Sequence, residues 1–325
     1  MLRYVLITGK GRSGTTWLAQ ILNSHTTCCY KHEPFPEWKR APYAAWKRDL
    51  ASGGDRAALR TRFDAICRGC HHQVDLPPFP PKTFERGHPR VLHFLHGLGS
   101  RVPALRGLYE AYGRPRLAED GEVLIKDVNF ETALLARLCE VIEPVLLAAV
   151  RNPFANVASH LSGVAKGIFD ADRERDARRA RDVIEAPGGE AYRAFLPDLA
   201  TMPEAMFEAL RWRIQVEPLV AVTRAQPRGR VVVYEDLCAD PLAETTRIFE
   251  FIGWQVGPQT RAFVEASISG EAEGIDARRA YFSVFRDPRE SLEKWREQLS
   301  EGQQREIAEV MRDSPLRGLW SGLPA

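Results

Sequence analysis

The sequence contains 325 residues, of which 44% are hydrophobic and 27% are charged. These proportions are ordinary for a globular protein, and they exclude a collagen, a disulfide scaffold and a largely disordered chain. With 45 lysine and arginine residues against 43 aspartate and glutamate residues, the formal net charge is only +2. The composition therefore does not favour a protein that coats nucleic acid, and we expect no nucleic-acid partner.

The sequence has no pattern typical of a membrane span or an export signal. No stretch approaches the roughly 18 apolar residues that a span requires. The apolar run at the start of the chain is too short for a signal peptide. We therefore expect a cytoplasmic protein without a membrane span.

The first residues predict a strand, a glycine loop and a helix. Residues 4–8 form a short apolar run with β-branched side chains, which is typical of a buried strand. Three glycines follow within residues 9–14 and predict a loop. Apolar residues at helical spacing then predict a helix over residues 15–22.

Strands and helices continue to alternate along the rest of the chain. Further strands are predicted at residues 123–126, 145–150 and 230–234. Helices are predicted at residues 131–141, 154–164 and 206–223. This alternation predicts an α/β fold with a central parallel sheet flanked by helices.

Two segments interrupt this pattern. Residues 35–120 include four prolines between positions 77 and 81, and we predict an irregular insertion there. Acidic residues and arginines alternate over residues 170–182, so residues 166–200 are predicted to form a charged helical flap. Since we find no repeat and no low-complexity linker, we interpret residues 1–325 as a single domain.

One cysteine pattern suggests a metal or haem site. Cys67, Cys70 and His71 have the spacing of a c-type haem attachment motif, and the two cysteines also match half a zinc site. A second CxxC that would complete a zinc site is absent from the sequence, and haem attachment normally occurs outside the cytosol. We therefore predict unpaired thiols and no metal.

The glycine loop has the spacing of a phosphate-binding loop but lacks one essential residue. Gly9 and Gly14 are spaced as in a Walker A motif, in which backbone N–H groups and a helix N-terminus hold phosphate oxygens. Walker A continues with a lysine, whereas this chain has Thr15 after Gly14. The cations come earlier, at Lys10 and Arg12. The loop therefore predicts a phosphate site that differs from an ordinary Mg-ATP site.

Residues 11–17, Gly-Arg-Ser-Gly-Thr-Thr-Trp, resemble the loop with which sulfotransferases bind the 5′-phosphosulfate of 3′-phosphoadenosine 5′-phosphosulfate (PAPS). Many family members have lysine where this chain has Arg12. The resemblance implies a P-loop-NTPase-like sulfotransferase fold. It also implies a role in donor binding for Lys10, Gly11, Arg12, Ser13, Gly14, Thr15, Thr16 and Trp17. Trp17 is interpreted either as a platform for adenine or as a core residue of the helix.

A second segment makes the resemblance more specific. Arg151-Asn152-Pro153, with Ser159 eight residues after the arginine, is similar to the segment with which the family binds the 3′-phosphate. From the residues alone, Arg151 follows a buried strand, at the edge of an α/β sheet where ligands bind. Asn152 is a good N-cap and Pro153 suits the first helical position. An arginine and a hydroxyl group suit a phosphate monoester.

Three weaker similarities cover other parts of the chain. Lys126 resembles a substrate-side lysine that the family presents on its central strand. Glu235 and Asp236 resemble the end of a later strand, and we interpret them as structural or capping residues. Arg286, followed by Trp295, resembles the loop that closes over the nucleotide, which makes Arg286 a second candidate ligand of the 3′-phosphate.

The general base is predicted from a departure from the family pattern. Small-molecule sulfotransferases have a histidine two residues after the central lysine, and this chain has Val128 there. Carbohydrate-type members resemble the chain elsewhere, with a glutamate about twenty residues after the basic loop residue, and Glu33 fits that pattern. A carboxylate near the reacting hydroxyl is a plausible base. Asp127 is the second candidate and His32 the third.

These features together predict a PAPS-dependent sulfotransferase that acts on a hydroxyl acceptor, which the choice of base suggests is a saccharide or glycoconjugate. Arg12 and the loop amides are expected to stabilise the leaving phosphate, and Lys126 to contact the transferring sulfonate. The product is then adenosine 3′,5′-bisphosphate. A P-loop nucleotide kinase and a non-enzymatic nucleotide sensor are the alternatives. The oligomeric state stays open.

Overall fold

We describe a computed structural model of the chain, covering residues 1–39, 42–84, 86–169, 172–269 and 290–324. Its strands are β1 (Arg3–Gly9), β2 (Cys28–His32), β3 (Glu122–Val128), β4 (Val145–Val150) and β5 (Gly229–Val233). They form one sheet in the order β2-β3-β1-β4-β5, in which every neighbouring pair is parallel. The predicted α/β class with a central parallel sheet is confirmed.

The helices of the described residues flank this sheet. They are α1 (Thr15–Asn23), α2 (Pro42–Ala51), α3 (Arg56–Cys67), α4 (Pro89–Arg101), α5 (Arg106–Tyr112), α6 (Thr132–Ile142), α7 (Pro153–Ala165), α8 (Arg173–Glu185), α9 (Glu204–Ala225), α10 (Tyr234–Ala239), α11 (Pro241–Ile252), α12 (Pro258–Ser269), α13 (Glu290–Gln298) and α14 (Glu301–Met311). Across these described segments, none of the helices combines the length and the apolar character needed to cross a membrane.

The strands β1 and β4 are buried along almost their whole length because both faces of the sheet are covered. All six residues of β4 are buried, as are six of the seven residues of β1. One face packs against α2, α3 and α6, and the other against α1, α11 and α12. Parallel strands covered on both faces have such continuous apolar runs, which is why β1 and β4 were predictable.

Strand β2 was missed because its sequence, Cys-Cys-Tyr-Lys-His, does not resemble a buried strand. Lys31 is fully buried, and its ammonium donates to Asp75 Oδ1 at 2.9 Å. The carboxylate satisfies the charge that would otherwise exclude a lysine from the interior. A buried ion pair therefore concealed a strand at the edge of the sheet.

The prediction of an irregular insertion over residues 35–120 is wrong. Four helices, α2 to α5, lie within it. Pro42 and Pro89 stand at the first position of α2 and α4, where the missing N–H has no partner to lose. These two prolines therefore mark helix starts. Residues 68–84, 86–88 and 113–121 contain neither helix nor strand.

Candidate active site

The loop after β1 requires glycine at both ends. A Cβ atom on Gly9 would lie 2.5 Å from the carbonyl oxygen of Ala149 on the neighbouring strand. Gly14 has a φ of 78°, and a Cβ atom there would lie 2.1 Å from Cδ2 of Tyr234. Gly9 is required by close packing alone, whereas Gly14 combines close packing with a positive φ that suits glycine. The spacing that suggested a phosphate loop thus corresponds to a tightly constrained turn.

The loop leads into the N-terminus of α1, which is suited to an anion. Gly14 is the N-cap and supplies no side chain to the first N–H groups, and the first turn contains no acidic residue. Free N–H groups and the helix dipole favour negative charge at such an end. Thr15 is buried, whereas Thr16 is exposed on the same turn.

The loop and the segment after β4 meet directly. Arg12 Nε donates to the hydroxyl of Ser159 at 3.0 Å, and Arg151 Nη1 donates to the backbone oxygen of Arg12 at 3.3 Å. Asn156 Nδ2 donates to the backbone oxygen of Gly11 at 3.0 Å. Two segments that lie about 140 residues apart in the sequence therefore form one polar site.

Asn156 and Asn129 are site residues that the sequence reasoning did not assign. Asn156 is fully buried on α7 and also lies within hydrogen-bond distance of the Ser13 hydroxyl, at 3.3 Å. Asn129 follows β3, and its Oδ1 accepts from the backbone N–H of Gly11 at 2.9 Å. A polar side chain directly after a buried strand was the signal that would have indicated Asn129.

The start of α7 is held as its sequence predicts. Asn152 Oδ1 accepts from the backbone N–H of Phe154 at 2.9 Å, and Pro153 occupies the first helical turn. The Arg151 guanidinium lies over the ring of Tyr234, with 4.8 Å between the guanidinium carbon and the ring centroid. This packing fixes Arg151 at the carboxyl end of β4.

Glu235 connects this region to a distant part of the chain. Its Oε1 accepts from the backbone N–H of Asn152 at 3.0 Å, and its Oε2 accepts from Trp320 Nε1 at 2.7 Å. The structural role that the sequence suggested for Glu235 agrees with these contacts. Burial raises the pKa of this carboxyl above its ordinary value.

The predicted base lies at the same edge of the sheet, separated from the loop by the strand β3. Glu33 follows β2 and forms an ion pair with Lys126 on β3. The backbone N–H of Glu33 also donates to the backbone oxygen of Lys126 at 2.6 Å. The Lys126 side chain is 3% exposed and the Glu33 side chain is 23% exposed. The carboxylate is thus the part of the pair that a substrate can reach.

The three candidate bases differ in their protonation. Burial acts to raise the pKa of Glu33, but the charge of Lys126 and its neighbours outweighs burial and holds this pKa below its ordinary value. Burial raises the pKa of Asp127 to about 7, and its Oδ2 accepts from the backbone N–H of Phe35 at 3.3 Å. Burial and the nearby Lys126 lower the pKa of His32 to about 3. Glu33 is therefore an ionised carboxylate near neutral pH.

Lys10 points away from the loop that it precedes. Its ammonium donates to Oε1 of Gln215 on α9 at 3.3 Å, and only 8% of the residue is exposed. Burial lowers the pKa of Lys10 to about 8, with Glu208 opposing the shift. In this arrangement Arg12 is the loop cation that faces Ser159, so the structure does not place Lys10 beside the predicted phosphate.

Trp17 is buried, in agreement with its interpretation as a core residue, and its contact with adenine stays a prediction. Its side chain packs in the cluster between α1 and the sheet, and the residue is 6% exposed. Its Nε1 donates to the Ser267 hydroxyl at 3.0 Å, so its polar atom also has a partner. Arg286, the second candidate ligand of the 3′-phosphate, lies outside the described residues. Trp295 packs against Phe154 of α7, with 4.9 Å between ring centroids.

The cysteine motif forms part of the interior. Cys67 and Cys70 are buried free thiols, and burial raises the pKa of Cys67 to about 12 and that of Cys70 further. In the segments that the structure describes, no group of three or more His, Cys, Asp or Glu residues is arranged to hold a metal ion. Thiols so strongly disfavoured from ionising are inert packing groups.

The fold and the site together define a class: an α/β protein with a phosphate loop at the carboxyl edge of a parallel sheet and a carboxylate–lysine pair beside it. Proteins of known activity are similar to the chain in sequence. The chain is 24% identical over 327 residues to carbohydrate sulfotransferase 1 of Danio rerio, in an alignment that covers 91% of this chain and 73% of the relative. It is 23% identical over 324 residues to carbohydrate sulfotransferase 1 of Rattus norvegicus, with coverage of 91% and 74%. The resemblance to PAPS-dependent sulfotransferases is confirmed.

Solved structures and family models complete the comparison. The mouse sulfotransferase SULT7A1 complexed with PAP is 12% identical, with a TM-score of 0.46 and coverage of 96% of this chain and 84% of that chain. The sulfotransferase domain from the Synechococcus PCC 7002 olefin synthase is 15% identical, with a TM-score of 0.43 and coverage of 96% and 94%. No protein-family model matches the chain.

Proposed function

We propose that the protein transfers the sulfuryl group of PAPS to a hydroxyl group of a saccharide. The observation that carries this proposal is the contact between Arg12 of the loop and Ser159 of the segment after β4. This contact supports a 5′-phosphosulfate site at the loop and a neighbouring 3′-phosphate site at the segment after β4. The relatives, which are named as carbohydrate sulfotransferases, support a saccharide as the acceptor.

Each group at the sheet edge has a task in this reaction. Glu33 accepts the proton of the acceptor hydroxyl while the oxygen attacks sulfur in line and forms the new O–S bond. The bond between sulfur and the bridging phosphate oxygen breaks, and its electron pair stays on the leaving adenosine 3′,5′-bisphosphate. Arg12 and the N–H groups at the start of α1 stabilise this charge. Lys126 forms an ion pair with Glu33 and keeps its carboxylate ionised.

The residues at the loop fit a 3′-phosphorylated nucleotide better than Mg-ATP. The lysine that a Walker A loop directs at the β- and γ-phosphates has no counterpart after Gly14. Arg151 and Ser159 supply instead a cation and a hydroxyl at the end of β4, where a 3′-phosphate would need them. A nucleotide kinase is therefore not favoured.

Calorimetry with three nucleotides tests this proposal. We expect adenosine 3′,5′-bisphosphate to bind without metal and more tightly than AMP or Mg-ATP. Labelled sulfate should then pass from PAPS to a saccharide acceptor. Preference for Mg-ATP would support the kinase alternative, and bisphosphate binding without transfer to any hydroxyl compound would support a nucleotide sensor.

A further inference from the structure

Trp38 differs from every other tryptophan of the chain in its exposure. It is 69% exposed, whereas the other six tryptophans are at most 8% exposed. Leaving so large an apolar ring in water forgoes about 1.5–3 kcal/mol of burial free energy. An exposed tryptophan next to polar groups is a frequent feature of binding surfaces, because it offers a large rigid face.

The turn that carries Trp38 is fixed to the candidate active site. It is a short 3-10 turn, Glu37–Lys39, that follows Glu33 by four residues. The ammonium of Lys39 donates to the backbone oxygen of His32 at 2.8 Å and lies 5.4 Å from the centroid of the Trp38 ring. Because both distances start at the Lys39 ammonium, the ring centroid lies at most 8.2 Å from the His32 oxygen.

The turn has little freedom to move away from this position. Lys39 is 4% exposed, and Phe35, just before the turn, is buried with its ring stacked on Phe63 at 6.3 Å between centroids. The backbone N–H of Phe35 is held by Asp127. The ring of Trp38 is therefore presented to solvent from a held base, within 8.2 Å of the backbone oxygen of His32, the residue before Glu33.

We propose that Trp38 is a stacking platform for a pyranose ring of the acceptor. This inference rests on the proposed function and assigns a subsite to it. Pyranosides carry several C–H bonds on one face of the ring, and such a face packs on an indole as other apolar groups do. The hydroxyl groups at the ring edge need polar partners, and the exposed ion pair between Arg48 and Glu37, 3.1 Å, lies on the same turn and its neighbouring helix.

Kinetics of two variants test the inference. For Trp38→Ala we expect the KM for N-acetyllactosamine to rise about tenfold, with kcat within a factor of three and unchanged binding of adenosine 3′,5′-bisphosphate. Trp38→Phe should restore most of the affinity, since it keeps an aromatic face. Transfer to glycerol, which has no ring, should be unaffected. The matched control is Phe94→Ala, because Phe94 on α4 is 68% exposed.

Fluorescence provides a readout that does not require activity. Titration of methyl β-galactoside, methyl β-glucoside or N-acetyllactosamine should change the tryptophan emission of the wild-type protein and leave Trp38→Phe unchanged. A change in emission without any sulfate transfer would support the sugar subsite at Trp38 and contradict the proposed function. Transfer with an unchanged KM in Trp38→Ala, or no response to all three sugars, would overturn the inference. A dimer that dissociates on Trp38→Ala would overturn it as well, because Trp38 would then be a contact between copies.

Discussion

At the scale of single residues, the site depends on how Glu33 and Lys126 are placed. Lys126 is almost inaccessible and Glu33 is partly open, so the pair presents an ionised carboxylate to an acceptor and keeps its counter-charge behind it. We expect Glu33→Gln to lower turnover by about 10²–10⁴-fold, as the loss of a general base does, while bisphosphate binding is retained. Initial rates with labelled PAPS and calorimetry measure the two effects. Glu250→Gln is the control, since Glu250 is exposed on α11, outside the candidate site.

Full activity in Glu33→Gln would contradict this assignment, and loss of activity in Asp127→Asn alone would transfer it to Asp127.

Asp127 makes stability depend on pH. Its pKa is raised from 3.8 to about 7 by burial, so between these values the folded protein keeps a proton that the unfolded chain has released. Stability therefore falls as the pH rises through this window. Asp127→Asn cannot ionise, and we expect its stability relative to wild type to increase by about 1–3 kcal/mol between pH 5 and pH 8.

Urea unfolding at the two pH values measures this difference. The exposed Asp120→Asn is the matched substitution, and it should show no comparable change. A constant difference between wild type and Asp127→Asn would show that Asp127 is ionised throughout.

At the scale of elements, the connection between β1 and α1 should tolerate one glycine substitution and not another. Gly14→Ala puts a methyl group into Tyr234 at a positive φ, so we expect bisphosphate binding to be lost and stability to fall by about 1–3 kcal/mol. At Gly11 a Cβ atom would meet only Asn129 Nδ2, at 3.8 Å, so Gly11→Ala should fold normally. Thermal unfolding and calorimetry compare the two. Equal effects would mean that the loop is not held as described.

The junction between β4 and α7 gives a second element-level prediction. Arg151 stands where a 3′-phosphate is expected. Arg151→Ala should therefore weaken the binding of adenosine 3′,5′-bisphosphate by at least tenfold and the binding of AMP much less. Calorimetric titration of both nucleotides checks this. If the binding of both ligands weakened equally, Arg151 would not be a ligand of the 3′-phosphate. Its role would then be to hold the loop through the backbone oxygen of Arg12.

The elements also show what could be predicted from the sequence. β1, β4 and α7 were predictable because their local signals agree with their surroundings, such as the continuous apolar run of β4 and the Asn152-Pro153 start of α7. The strand β2 and the helices α2 to α5 were not, because their signals act through tertiary partners. Lys31 needs Asp75, 44 positions later, before it can lie in a strand.

In the candidate site, too, local signals were predictable and tertiary contacts were not. The loop and the segment around Arg151 were predictable as separate motifs, since each is local. Their contact through Asn156 and Ser159 was not, because spacing along a chain does not say which side chains meet. Trp17 was ambiguous for the same reason, because a tryptophan at helical spacing is equally compatible with the core and with a ligand.

At the scale of the whole molecule, the donor site joins strands from both halves of the sheet, so ligand binding should stabilise the entire fold. At a concentration 100 times its Kd, adenosine 3′,5′-bisphosphate should add about 2.7 kcal/mol to the free energy of unfolding. For 325 residues this corresponds to a rise of about 4 °C in Tm. Thermal unfolding with and without the nucleotide measures it, and AMP at the same concentration is the control. No rise at saturating bisphosphate would contradict a site spread over β1 and β4.

The single carboxylate of Glu235 holds both the first turn of α7 and the indole of Trp320. The backbone amide of Asn152 can exchange its hydrogen for deuterium only when it leaves Glu235, so its exchange rate reports how often this junction opens. Trp320→Phe removes the indole N–H and frees one carboxylate oxygen of Glu235. The change in protection of the Asn152 amide then measures how much Trp320 stabilises the start of α7, 168 positions earlier. Hydrogen exchange followed by mass spectrometry therefore reports the opening of this junction in the absence of any nucleotide.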